Sequence, residues 1–106
     1  MLSFFVYILS CSYGSIQRYY TGMSSRPIQK RFLEHRNKRV KSTKMYQGNV
    51  ILVYAECIEV RTKHEGFKQA FEREKKIKHM STARKKKLIE TNKEKTKQLI
   101  DKYFDL

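Results

Sequence analysis

The chain has 106 residues, enough for one compact domain with a modest core and too few for two. Its 24 lysines and arginines stand against 10 aspartates and glutamates, a formal charge of +14 that points to a polyanionic partner, nucleic acid first. A membrane partner is disfavoured, because no run approaches the roughly 20 apolar residues that span a bilayer, and the C-terminal third pairs an apolar face with a basic one only weakly.

At the N-terminus, Leu2 to Leu9 followed by Ser10-Cys11 imitates a lipoprotein leader. The imitation lacks a positively charged start, and Tyr7 interrupts the apolar run, so the expected location is the cytoplasm, or the nucleus in a eukaryotic or viral host setting. The segment Phe4–Leu9 is rich in β-branched and aromatic residues. Tyr13-Gly14-Ser15 supplies turn chemistry after it, and Arg18–Gly22 forms a second short run, so the pair predicts a β-hairpin. Ser24 and Ser25 are candidate caps for a first helix, in which Pro27 suits the opening turn and Ile28, Phe32 and Leu33 form a stripe reaching Asn37. Lys38 to Gly48 keeps no apolar period and predicts an exposed basic loop.

From Asn49 to Val60 a nearly continuous apolar run predicts a strand buried on both faces, at the centre of the sheet. Phe67, Ala70, Phe71 and Ile77 recur at helical spacing from His64 onward, with an end near Met80, where Ser81 or Thr82 can cap the next helix. That third helix carries Leu88 and Ile89, and a last one Leu99, Ile100, Tyr103 and Phe104. Cys11 and Cys57 have no close Cys or His partner, which excludes a disulfide framework and zinc-ligand spacing; both are expected reduced and buried. The predicted fold is α/β (α+β): a small, mostly antiparallel three-stranded sheet of Phe4–Leu9, Arg18–Gly22 and Val50–Ile58, flanked by helices. One domain over 1–106 is expected, with a core over about 4–90 and a basic helical extension over 91–106.

Glu74 breaks the pattern around it, since it falls on the stripe of Phe67, Ala70, Phe71 and Ile77. Taking a charge out of water costs several kcal/mol unless a cation offsets it, either a Lys or Arg side chain or a bound metal. Glu72, on the polar side, is placed to pair with Lys75 or Lys76. Arg31 and His35 project from one helix face a turn apart, a pair suited to phosphate chemistry or to an ordinary wet surface. Tyr7 and Tyr20 sit on the two strands of the hairpin, where tyrosines are commonly core residues with a bonded hydroxyl, as expected of Tyr19, Tyr46 and Tyr54.

In chain order, Tyr7, Tyr20-Thr21-Gly22, Arg31-x-x-x-His35, and Glu74 within Ala70-x-x-x-Glu74-x-x-Ile77-Lys78 resemble the motifs of the GIY-YIG nucleases. The likeness is to the small stand-alone members, related to the nuclease domain of excision-repair endonucleases, and covers about Phe4 to Ile89. The first motif falls on Phe5-Val6-Tyr7, with Phe5 where the family has Gly. The resemblance implies a metal-dependent endonuclease acting on DNA phosphodiester bonds, in repair or recombination. It implies one Mg²⁺ or Mn²⁺ per site at Glu74, Arg31 on the scissile phosphate, Tyr7 activating or positioning water, and Tyr20 and His35 orienting groups or relaying protons. Gly22 supports the site, and Asn92 is the candidate for the family's late Asn.

Lys38, Arg39, Lys41, Lys44, Lys78, Arg84, Lys85 and Lys86 are the expected DNA contacts. Duplex or branched DNA is the expected partner, RNA is a further candidate, and the chain is expected to act as a monomer or homodimer without a membrane. The alternative reading is a basic nucleic-acid-binding protein that keeps the fold without cleavage. A ribosomal or RNA-packaging role ranks behind both, since it leaves the Tyr, Arg, His and Glu constellation as coincidence.

Overall fold

Twelve residues of extended chain, β1 (Leu2–Tyr13), reverse at Gly14 and Ser15 into β2 (Ile16–Ser24), with Tyr13 opposite Ile16. Gly14 takes φ 59, the left-handed backbone that a two-residue hairpin turn requires and that glycine adopts without steric cost. The third strand, β3 (Val50–Val60), pairs antiparallel with the other edge of β1, giving the order β2-β1-β3. This computed structural model describes residues 1–25 and 49–103; the expected first helix and basic loop, with Arg31, His35, Lys38, Arg39, Lys41 and Lys44, lie outside them.

The centre of the sheet is therefore β1, not the apolar run at Val50–Val60 as the sequence suggests. Burial explains the difference. Phe4 to Leu9 are all at most 3 % exposed, so β1 is covered on both faces, whereas Ile51 on β3 is 64 % exposed. Both strands of the hairpin also outrun their predicted limits. Ser10, Ser12, Gln17 and Arg18 continue the ladder at its polar end, where Ser12 N–H donates to the Asn49 carbonyl at 3.0 Å. A β-bulge between Ile8 and Leu9 shifts the register against β3.

Alternation along β1 divides the core in two. Phe5, Tyr7, Leu9 and Cys11 form a first face with Val50 and Ala55, joined by Tyr20, Leu52, Leu99 and Ile100. Phe4, Val6 and Ile8 form a second face with Tyr54, Val60, Ala70 and Ile77, joined by Leu88 and Ile89.

Among the described residues, three helices supply covering side chains. Thr62 caps α1 (Lys63–Lys78), its hydroxyl accepting from Glu65 N–H at 3.2 Å, and Ser81 caps α2 (Thr82–Thr91) by accepting from Arg84 N–H at 3.2 Å. Helix α1 lies on the second face. There Gly66 permits a close approach, because a Cβ at that position would collide with the ring of Phe4. Helix α3 (Lys93–Tyr103) brings Leu99 and Ile100 to the first face. No helix among the described residues is long and apolar enough to cross a membrane.

Candidate functional site

The hairpin register brings Tyr7, Tyr20 and Gly22 together. Tyr7 stands opposite Gly22 and Leu9 opposite Tyr20, so all four share the first face. A Cβ on Gly22 would lie 2.6 Å from Tyr7 Oη and 3.0 Å from Tyr20 Cε1. The Tyr7 ring thus crosses the bare Cα of Gly22, and its hydroxyl lies over the β2 backbone beside the second tyrosine. Tyr7 is 1 % exposed, while Tyr20 is only half-buried. The glycine is required by the tyrosine: any other residue at position 22 would displace the hydroxyl.

Glu74 is placed differently from the sequence expectation. The buried line of α1 is Gly66, Ala70 and Ile77, with Arg73 between them, and Phe67 and Phe71 are 48 % and 60 % exposed. Phe67, Phe71, Glu74 and Lys78 form the neighbouring flank at i, i+4, i+7 and i+11 spacing. A broad apolar stripe in sequence is two stripes in space, and only one of them is core. The Glu74 side chain is 17 % exposed, and its Oε1 accepts from Lys78 Nζ at 3.2 Å. The side-chain cation that the sequence allowed for Glu74 is present as Lys78.

The opposite flank of α1, with Gln69, Glu72 and Lys76, lines a shallow recess with Glu56, Cys57 and Ile58 of β3. Glu74 therefore faces the β2 side of the sheet. Phe67, on the same flank, shares a recess with Ser25, just beyond the end of β2. The tyrosines lie on the first face and α1 on the second, so the described residues do not bring Glu74 together with Tyr7 and Tyr20.

Asn92 sits in the turn between α2 and α3. Its Nδ2 donates to the Leu88 carbonyl at 2.9 Å, and its own carbonyl accepts from Thr96 N–H at 2.9 Å, so it caps a helix. Of the expected DNA contacts within the described residues, Arg84 and Lys86 are exposed, Lys85 is half-buried, and Lys78 is occupied with Glu74. Cys11 is buried as expected; Cys57 is only half-buried, since β3 is an edge strand, and the two form no disulfide.

Sequence reasoning missed a clamp on the second face. Glu56 Oε2 accepts from Tyr54 Oη at 2.6 Å, and its Oε1 accepts from Arg73 Nε at 2.6 Å. Burial, then the bond to Glu56, pushes the Tyr54 hydroxyl up to about 12. The clamp fixes α1, and with it Glu74, against β3. A visible signal was Glu56 itself, a carboxylate two residues from Tyr54 that interrupts the apolar run of the strand.

Among the described residues, no group of three His, Cys, Asp or Glu gathers as a ligand set. A lone, mostly buried carboxylate suits a hard cation such as Mg²⁺ or Mn²⁺, which takes most of its ligands from water and phosphate; it does not suit structural zinc.

The family model of the GIY-YIG catalytic domain matches residues 3–88. The chain belongs to the GIY-YIG family. These domains are nucleases, and nucleic acid is accordingly the substrate class. The matched span includes Tyr7, Tyr20, Gly22 and Glu74 and stops before Asn92 and α3. Comparison with curated proteins and with solved structures gives no match.

Proposed function

We propose that the protein is an endonuclease that hydrolyses DNA phosphodiester bonds with one Mg²⁺ or Mn²⁺ held at Glu74. The observation that carries this reading is the Tyr7 hydroxyl lying across Gly22 beside Tyr20. Family membership supplies the reaction class.

Phosphodiester hydrolysis needs a water nucleophile, stabilisation of charge on the phosphate oxygens and help for the leaving oxygen. A bound divalent cation supplies the Lewis acidity. Glu74 would hold it, and Lys78, which pairs with that carboxylate at 3.2 Å, would be available to a substrate phosphate. Tyr20, the more exposed of the two tyrosines, meets the attacking water, and buried Tyr7 fixes its position. A free tyrosine has a pKa of about 10, so acting as a base requires nearby positive charge. Arg31 grips the scissile phosphate and supplies that charge, and His35 relays a proton. The chain works as one domain, with residues from 91 onward as a basic helical addition that extends the DNA contact.

A second reading is a nucleic-acid-binding protein without cleavage. The Glu74–Lys78 pair favours it, because a purely structural ion pair has the same form. The two readings separate when labelled linear, nicked, flap and junction DNAs, with an RNA control, are incubated in Mg²⁺, in Mn²⁺ and in EDTA. Metal-dependent cutting by the wild type is expected, with Glu74→Gln folded, still binding DNA, and inactive. A folded Glu74→Gln protein that cuts at the wild-type rate would remove Glu74 as the ligand, and a wild type that cuts nothing under any condition would favour the binder.

A further inference from the structure

Where α2 and α3 cross the end of the sheet they enclose a groove of about 740 Å³. None of Tyr7, Tyr20, Gly22 or Glu74 lines it. Its size lies within the range of about 300–1,000 Å³ typical of small-ligand sites. The walls are Tyr19, Ile89 and Ile100, and the rim carries Lys86, Lys93 and Lys97. Tyr19 and Lys86 also line the adjoining recess, which adds Arg18 and Lys85. Along the joined groove, five cations face two carboxylates, Glu90 and Glu94.

One polar group in this lining has no assigned use. Thr96 is 4 % exposed, and its hydroxyl has no hydrogen-bond partner among the described residues. Burying a hydroxyl in that state is unfavourable, and a turn about χ1 presents it to a ligand in the groove.

We propose that this groove is a second nucleic-acid site, holding one nucleotide of a strand apart from the cleavage centre. The apolar walls with a tyrosine accept the flat face of a base, as single-strand binding proteins do, and the lysine rim takes the flanking phosphates. The Thr96 hydroxyl meets a polar edge of the base or sugar. Much of the groove comes from residues beyond the matched span 3–88, including Lys93, Thr96, Lys97 and Ile100, so it is a feature of this chain added to the family module. The site stands whether or not the protein cleaves.

The test is a titration of the full ¹⁵N-labelled chain with thymidine 5′-monophosphate, with a 5′-phosphorylated tetrathymidylate and with a hexaglutamate peptide. The tetranucleotide should bind most tightly and shift the amides of Ile89, Thr96 and Ile100. Thr96→Val should raise the melting temperature, since it removes an unsatisfied hydroxyl, and weaken the tetranucleotide about three- to tenfold. Lys93→Gln with Lys97→Gln should lower the slope of log affinity against log salt by about 1.4, the value for two lost contacts to a single strand. Tighter binding of the peptide or of the mononucleotide than of the tetranucleotide overturns the proposal. So does a Thr96→Val protein that is more stable but binds the tetranucleotide as before.

Discussion

On the first face of β1, the ring of Tyr7 crosses the Cα of Gly22; on the second, the backbone of Gly66 in α1 rests on the ring of Phe4. Both contacts depend on a missing Cβ, yet they differ in what gives way. At Gly22 the obstructing atoms include the hydroxyl tip of Tyr7, so a substitution there moves a chemical group. At Gly66 they belong to the body of a ring that is 2 % exposed, so a substitution must move a helix. One glycine controls where an oxygen points, and the other controls how near two layers of the fold can stand.

The sharpest way to break this symmetry is Gly66→Ala. In an open helix that change stabilises by about 1 kcal/mol, so a loss would carry the sign of the packing contact alone. Overpacking against Phe4 should outweigh the helix gain and leave a net loss of about 1–3 kcal/mol, read by chemical denaturation. Glu56→Gln comes next. It leaves Arg73 and the buried Tyr54 hydroxyl without their shared carboxylate while Arg73 and the residue at 56 stay partly solvated, so a loss of about 1 kcal/mol is expected in the same measurement. Gly22→Ala should cost less than Gly66→Ala in stability but lower DNA cleavage by about 100-fold, because the Tyr7 hydroxyl is pushed aside. A Gly22→Ala protein that keeps full cleavage would show that the hydroxyl position is immaterial.

The last comparison concerns pH, and each face has its own titrating group. Burial pushes the Cys11 thiol from 9.0 up to about 11, and Tyr54 rises from 10.0 to about 12. Above pH 9 the unfolded chain gives up the Cys11 proton while the folded protein keeps it. Stability should therefore be full below pH 9 and fall as pH rises toward 11, with Tyr54 adding its share from 10 to 12. Cys11→Ala should flatten the first part of that decline and Tyr54→Phe the second, in melting temperatures recorded across the range.

Much of the fold was legible because local signals agreed with it. The hairpin was marked by Gly14 between apolar runs, α2 by Ser81, and the mixed fold by a strand-rich half followed by a helix-rich half. The order of strands was not, because Phe4–Leu9 and Val50–Ala55 are equally apolar in sequence and only the packing of helices shows which is covered on both sides. Glu74 was expected largely out of water beside a cation, and it is 17 % exposed beside Lys78; the stripe it was assigned to is what differs. Its apparent stripe mixed two adjacent lines of a helix, and sequence spacing does not show which line meets the sheet. The Tyr7–Gly22 contact depends on register across the hairpin, which the motif order implies but does not measure. The Thr96 groove had no sequence signal, because its walls come from three separate regions of the chain.

The central place of β1 also has a consequence in time. During synthesis its two edges are satisfied at different moments. β2 follows at once through Gly14 and Ser15, so the hairpin can close as soon as Ser24 is free. The other edge must wait until Val60 has been made. In that interval Leu2 to Cys11 carry open hydrogen-bonding groups along one side, an invitation to any extended segment nearby, including the same segment of a neighbouring nascent chain. Translation that stalls between Ser24 and Val50 should therefore be the moment at which this small protein is most exposed to pairing with the wrong strand.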